Sequence, residues 1–242
     1  MATAGTVHWR RWRDLLRFAA GFTAAGLAAA WAPGALASSK KAKLARFWKK
    51  ARPSFFKSFE VRSRNLKPFK KWRKALARYS REQAQRNKKG SCKSKTFNAC
   101  HFKNWTDFLH SIKGEKKLTK VRKVNAFMNE QRYITDPVNW GEKDYWASPG
   151  EFMARFGDCE DYAIAKYISL KRLGFTDKDM RVVAVKDLNL RVGHAVLVVF
   201  LDGKSWLLDN QVKQMVETKV VRHYDPVFSI NGKFWWRHRR KA

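Results

Sequence analysis

The feature that most constrains the fold is a pair of apolar segments, "HAVLVVFL" and "KSWLLDN", joined by Asp202-Gly203. An Asp-Gly pair between such segments is typical of the two-residue type I′ turn that closes a β-hairpin. The turn fixes which residues oppose each other: Leu201 faces Lys204, and counting outward Val196 faces Asp209. The sequence therefore predicts an antiparallel hairpin, with a known register, near the C-terminal end of the chain.

Helical patterns precede this hairpin and further strands surround it. The segment "LTKVRKVNAFMNEQRY" spaces its apolar residues three to four apart, which is typical of an amphipathic helix. Helices are also predicted from Asn104 to Gly114 and from near Asp158 to Gly174, and "MRVVAVKDL", "PVFSI" and "KFWW" are predicted strands. Helices followed by an antiparallel sheet indicate an α+β domain.

Residues 1–37 have the pattern of a secretory signal peptide: a basic start, the small apolar run "FAAGFTAAGLAAAWA", and then Ala35 and Ala37 at the positions of a cleavage site. The alternative is a membrane anchor, but a run of about 15 residues is short for a span of roughly 20. We therefore expect cleavage after Ala37 and export to an oxidising compartment, where disulfides are allowed.

Positive charge is concentrated in the first half of the remaining chain. Residues 38–133 hold 30 Lys and Arg against 5 acids, whereas residues 134–242 hold 18 against 14. We interpret residues 38–89 as a basic N-terminal extension, partly helical and loosely packed, and residues 90–242 as the main domain. Such asymmetry suggests contact with an anionic surface, although a solvated basic surface explains it equally well. No nucleic-acid motif is present, so we expect no nucleic-acid partner.

Three cysteines divide into a pair and a single residue. Cys92 and Cys100 are close enough to form a disulfide in an exported protein. A zinc site using them with His101 and His110 is the alternative, but the spacing matches no common zinc pattern. Pairing these two leaves Cys159 alone at the start of a predicted helix, where unpaired amides and the helix dipole favour the thiolate. Cys159 is therefore a candidate nucleophile, an inert buried cysteine being the alternative.

A thiol nucleophile needs a base and a group that orients the base. In the predicted hairpin register, His194 projects from the same face as Asp209 as a diagonal neighbour, with Cβ atoms roughly 7–8 Å apart. An imidazole there could hydrogen-bond the carboxylate. His194 could also be a core histidine among Ala, Val and Leu, but an aspartate on the same face favours the catalytic interpretation.

These motifs, "GDCEDYAIAKY", "GHAVLVV" and "LLDN" with "NWGEKDYWASPGEF" upstream, resemble the bacterial transglutaminase-like cysteine proteinases over about residues 101–238. The resemblance implies a papain- and transglutaminase-like core with a nucleophile at a helix N-terminus. It makes Cys159 the nucleophile, His194 the general base and acid, and Asp209 the orienting residue. Its best-understood branch is a periplasmic, calcium-dependent protease that releases large biofilm adhesins and is sequestered by an inner-membrane receptor for cyclic-di-GMP.

In that branch the acids that flank the cysteine bind calcium, and here they match Asp158 and Glu160. Carboxylates are ligands suited to calcium, and a bound dication would reverse their unfavourable effect on the thiol. Asp144 and Asn139 are predicted as further ligands, and Asp161 either joins them or stabilises the helix N-terminus. The alternative is that the acids only cap the helix or pair with arginines.

The sequence thus predicts an exported cysteine peptidase with a protein substrate. Transglutaminase-type acyl transfer to an amine would use the same triad, because only the acceptor differs. A third possibility is a non-catalytic peptidase-like domain that binds a membrane or polyanion through the basic extension.

Overall fold

The computed structural model describes residues 55–85, 91–95 and 97–240, which contain six α-helices and a seven-stranded antiparallel sheet. The helices are α1 Lys70–Gln85, α2 Ala99–Ser111, α3 Lys117–Asn129, α4 Asp136–Trp140, α5 Pro149–Arg155 and α6 Cys159–Arg172. The strands are β1 Ser58–Ser63, β2 Met180–Asp187, β3 Val192–Leu201, β4 Lys204–Leu208, β5 Val216–Glu217, β6 Tyr224–Ile230 and β7 Trp235–Arg240. Within these ranges no helix has the length and apolar character needed to cross a bilayer. The predicted signal peptide lies outside the described residues.

The sheet has the strand order β1-β7-β6-β2-β3-β4-β5. The predicted hairpin is formed by β3 and β4: Leu201 pairs with Lys204 and Leu197 pairs with Leu208, which is the register that the Asp-Gly turn implied. The helices lie together between β1 and β2 in the chain, and the other six strands follow them, so the α+β class is confirmed.

Helix α6 is the centre of the core. Every residue from Cys159 to Leu170 is buried, because the helix packs on β2 and β3 on one side and on α3 and α5 on the other. A helix covered on all sides can hold polar groups away from water, provided that those groups find partners. Charges in the first turn of α6 therefore interact strongly with one another, because little water screens them.

The described part of the basic extension is integrated into this fold. β1 pairs with β7 at the edge of the sheet, and Trp72 of α1 is 1% exposed and packs on Tyr167 of α6 at a ring-centroid distance of 5.3 Å. The expectation of loose packing is therefore wrong for residues 55–85. The sequence missed it because short basic-aromatic segments carry no clear period, so β1 had no signal. The domain boundary after Lys89 stays a prediction.

Two local expectations have clear outcomes. Cys92 and Cys100 form the predicted disulfide, with Cα atoms 5.0 Å apart, which excludes the zinc alternative. The helix predicted from Asn104 instead begins at Ala99, because Asn98 caps it: its Oδ1 accepts a hydrogen bond from the His101 amide at 2.9 Å.

Candidate active site

Cys159 is the first residue of α6 and is 4% exposed. The turn that leads to it is tightly constrained: Phe156 has a φ of 63°, which is uncommon for a residue with a side chain, and the Gly157 carbonyl accepts a hydrogen bond from the Ile134 amide at 2.9 Å. The backbone that leads into Cys159 is thus held in a defined conformation.

Gly157 has no room for a side chain, which gives a first prediction. A Cβ there would lie 2.1 Å from Oδ2 of Asp161, whose other oxygen is held by the Ala147 amide at 2.6 Å. We expect Gly157→Ala to lower the free energy of unfolding by about 1–3 kcal/mol, as overpacked sites do. Urea unfolding measures the change, with Gly114→Ala as the matched control because nothing lies within 4 Å of that position. A Gly157→Ala midpoint equal to that of the control would contradict the prediction.

His194 and Asp209 are brought together as the hairpin register predicted. His194 Nε2 lies 2.8 Å from Asp209 Oδ1, and both residues are buried. Asp209 also accepts hydrogen bonds from the Gln211 amide at 2.9 Å and from the Tyr224 hydroxyl at 2.6 Å. Burial alone would raise the pKa of Asp209, but the hydrogen bonds from His194, Tyr224 and Gln211 outweigh it and lower the pKa to about 2. The carboxylate therefore stays ionised and fixes the imidazole.

The thiol lies next to this pair. Helix α6 packs on β3, and the backbone amide of Ala195, the residue after His194, is close enough to the Cys159 sulfur to lower its pKa. Since Asp209 engages Nε2 of His194, the ring nitrogen left to exchange a proton is Nδ1. The structure thus joins His194 and Asp209 directly and places Cys159 on the helix that packs on β3, while the triad itself stays a prediction.

The charge state of the thiol differs from the expectation based on the helix dipole. Burial raises the pKa of Cys159, the Glu160 and Asp158 carboxylates raise it further, and the Ala195 amide offsets only part of this. The thiol also donates a hydrogen bond to Glu160 Oε2, at 3.1 Å. The helix N-terminus alone thus does not produce a thiolate here, because the adjacent acids act against it.

Those acids belong to a larger group, which we name the acidic cluster: Asp136, Asp144, Asp158, Glu160 and Asp161. Oxygens of Asp136, Asp144 and Glu160 lie within 4.8 Å of one another, and so do oxygens of Asp136, Asp158 and Asp161. Four of the five are at most 1% exposed, Asp144 being the exception. Such a concentration of buried carboxylates costs free energy unless protons or a cation neutralise it.

Asp158 shows that this cost is not met by the protein's own donors. Both of its carboxylate oxygens are buried without a hydrogen-bond partner among the described residues. Burial, followed by the fields of Glu160, Asp161 and Asp136, raises the pKa of Asp158 to about 12. Calcium takes six to eight oxygen ligands, commonly carboxylates, so the donor set of the acidic cluster fits this cation.

The predicted further ligands have mixed outcomes. Asp144 belongs to the acidic cluster, whereas the carboxamide of Asn139 is engaged elsewhere: it donates to the Phe156 carbonyl at 3.0 Å and accepts from Arg155 Nε at 3.1 Å. Asp161 holds its own helix start by accepting from the Asp158 amide at 3.3 Å, and it also reaches the cluster. Asp136 was missed, because in "TDPVNW" an aspartate before proline reads as an ordinary helix start.

Sequence reasoning also missed Lys166, two turns after Cys159 on α6. It is fully buried, and its ammonium has no hydrogen-bond partner in the described part of the chain. Burial lowers the pKa of Lys166 to about 7, although the Asp209 carboxylate opposes this shift. A lysine within an otherwise apolar stretch of helix gives no signal by which its burial could be predicted.

Residues 89–225 match the family model of the bacterial transglutaminase-like cysteine proteinases. The chain belongs to this family. It is therefore a transglutaminase-like cysteine peptidase, and a family of proteases implies a protein substrate.

Solved structures of LapG from Legionella pneumophila share the fold of this family member. The calcium-bound LapG structure is 28% identical with a TM-score of 0.56, and the match covers 66% of this chain and 87% of LapG. The EGTA-treated LapG structure matches with the same identity and TM-score, covering 66% of this chain and 84% of LapG. A comparison with curated proteins finds no match.

Proposed function

We propose that this peptidase is exported and hydrolyses a protein substrate with Cys159 as nucleophile, His194 as general base and acid, and Asp209 as the orienting residue. The observation that carries the proposal is the 2.8 Å contact between His194 and an ionised Asp209, beside a thiol that is the free cysteine of the described residues. A buried histidine that only filled the core would not need a carboxylate with this set of partners.

In the first half of the reaction, the Cys159 proton passes to His194 Nδ1 and the thiolate attacks the carbonyl carbon of the scissile peptide bond. The backbone amide of Cys159, at the start of α6, is placed to donate to the developing oxyanion, since the first amides of a helix lack internal partners. The C–N bond then breaks as the imidazolium gives its proton to the leaving amine, and an acyl-enzyme thioester remains.

In the second half, His194 removes a proton from water and the resulting hydroxide adds to the thioester. The C–S bond breaks, the product leaves with a new carboxyl end, and the proton returns to the thiol. Asp209 remains ionised throughout, because its low pKa keeps it from taking the proton of His194. Its function is to hold the ring and stabilise the imidazolium.

We also propose that the acidic cluster holds calcium, with Asp158 and Glu160 as ligands together with Asp136, Asp144 and Asp161. The unpartnered oxygens of Asp158 and the calcium-bound structure of the similar LapG support this assignment. When bound, the cation supplies positive charge beside Cys159, which favours the thiolate over the thiol. The family resemblance further suggests a large surface adhesin as substrate, periplasmic location and sequestration by an inner-membrane cyclic-di-GMP receptor. The basic extension would contact an anionic surface.

The test is a comparison of surface-bound and released proteins from cells with and without the gene, using mass spectrometry to map new N-termini. We expect one or a few large surface proteins to be cut only when the peptidase is present. Products that carry an incorporated amine instead of a free carboxyl end would overturn hydrolysis in favour of acyl transfer. Identical termini in both samples would reject the peptidase proposal and favour the binding-protein alternative.

A further inference from the structure

Helix α1, from the basic extension, forms a second layer behind the acidic cluster. Lys71, Arg78 and Glu82 are seven and four residues apart, so they project from one face of the helix. All three reach the segment that runs from Asp144 to Glu151. The small Ala75 lies between them on the same face, and it is buried, as is the neighbouring Trp72.

The contacts of these three side chains are specific. Lys71 Nζ lies 2.8 Å from Asp144 Oδ2. Arg78 donates from Nε to Glu151 at 2.8 Å and from Nη2 to the Trp146 carbonyl, and its guanidinium lies 4.7 Å from the centroid of the Tyr145 ring.

Glu82 is 8% exposed and completes the set of contacts. It accepts from the Gly150 amide at 2.9 Å and from the Ser148 hydroxyl. Gly150 is itself fitted to this contact, since a Cβ there would lie 2.5 Å from the Glu82 carboxyl carbon.

The same segment in turn orients the acids. The Tyr145 amide donates to Asp136 at 2.6 Å and the Ala147 amide donates to Asp161 at 2.6 Å. Each of these amides is next to a backbone or side-chain group that α1 holds, the Asp144 carboxylate and the Trp146 carbonyl. Helix α1 therefore positions the acidic cluster indirectly. Its side chains hold the segment from Asp144 to Glu151, and amides of that segment hold Asp136 and Asp161.

We infer that Arg78 and Glu82 are positioning residues for the cation site, and that the peptidase therefore needs α1 of the basic extension to bind the cation. The inference rests on the proposed calcium site. Groups that orient metal ligands from the next layer typically change metal affinity about 10–100-fold when they are removed. For Arg78 the sign of the effect is informative: loss of its positive charge alone would strengthen calcium binding, whereas loss of positioning weakens it.

The experiment is calcium titration by calorimetry on the full chain, with wild type, Arg78→Met, Glu82→Gln and the control Arg73→Met. Arg73 is an exposed arginine of the same helix, so its replacement removes the same charge without touching the segment. We expect calcium to bind at least tenfold more weakly to Arg78→Met and to Glu82→Gln, with Arg73→Met within about twofold of wild type.

The outcomes separate the two proposals. Calcium binding to wild type with unchanged or tighter binding to both variants would overturn the role of α1 while leaving the calcium site intact. No binding to wild type would overturn the calcium site and this inference with it. If Arg78→Met does not fold, Arg78→Lys decides, because lysine keeps the positive charge but cannot make both of the arginine's contacts, with Glu151 and with the Trp146 carbonyl.

Discussion

Replacing Cys159 by alanine is expected to abolish hydrolysis of the protein substrate, lowering kcat by at least about a thousandfold, since loss of a nucleophile removes the covalent route. The thiol is the free cysteine among the described residues, and it lies beside the amide that follows His194. The measurement is cleavage of a peptide that spans the junction found by mapping new N-termini. Retention of more than about a tenth of the activity would contradict the assignment.

Two controls separate lost chemistry from lost structure. Cys159→Ala should keep a melting temperature close to that of wild type and should still bind calcium, because only one buried sulfur is removed and every carboxylate of the acidic cluster remains. Cys159→Ser, which keeps the size and polarity of the side chain, should be as inactive as the alanine variant. An alcohol next to Glu160 is far harder to ionise than a thiol. An active serine variant would mean that a group other than a thiolate is the nucleophile.

The contact between His194 and Asp209 could be predicted because its geometry follows from a local rule. An Asp-Gly turn fixes the register of a hairpin, and the two-residue period of strands then places His194 and Asp209 on one face. Their contact could be predicted without knowing how the rest of the chain folds. The third partner of Asp209, the Tyr224 hydroxyl, comes from a strand whose position depends on the whole sheet, so no local pattern could reveal it.

The acidic cluster was predictable only in part for the same reason. Asp158, Glu160 and Asp161 are adjacent in the sequence, whereas Asp136 and Asp144 join them through the packing of a loop on α1. The contribution of α1 was hidden because basic and aromatic residues without a clear period suggest a solvated segment. Its contacts with the loop are polar and join residues that are far apart in the sequence, so the spacing of residues cannot predict them.

Removal of calcium is expected to lower activity by at least about a hundredfold, because burial and the neighbouring Glu160 raise the pKa of the thiol and no cation is left to oppose them, so the nucleophile remains protonated. The measurement is peptide cleavage before and after treatment with a chelator, followed by addition of excess calcium. Asp158→Asn should reproduce the loss without a chelator. Asp107→Asn removes an exposed acid that pairs with Lys103 on α2, so it is the matched control and should behave as wild type. Full activity in the chelator would remove calcium from the mechanism.

The same cluster predicts how calcium binding depends on pH. The pKa of Asp158 is raised to about 12 in the folded protein, above the value of roughly 3.9 for an unfolded chain. Between these values the calcium-free folded state holds a proton that the unfolded state has released, so its stability is greatest at low pH and falls as pH rises.

Calcium must displace that proton, so its apparent affinity should increase with pH by up to about tenfold per unit for each proton released. Calorimetry in two buffers with different ionisation enthalpies, at about pH 6 and about pH 8, counts the protons directly. An affinity that does not change with pH would show that the acids are already ionised without the cation.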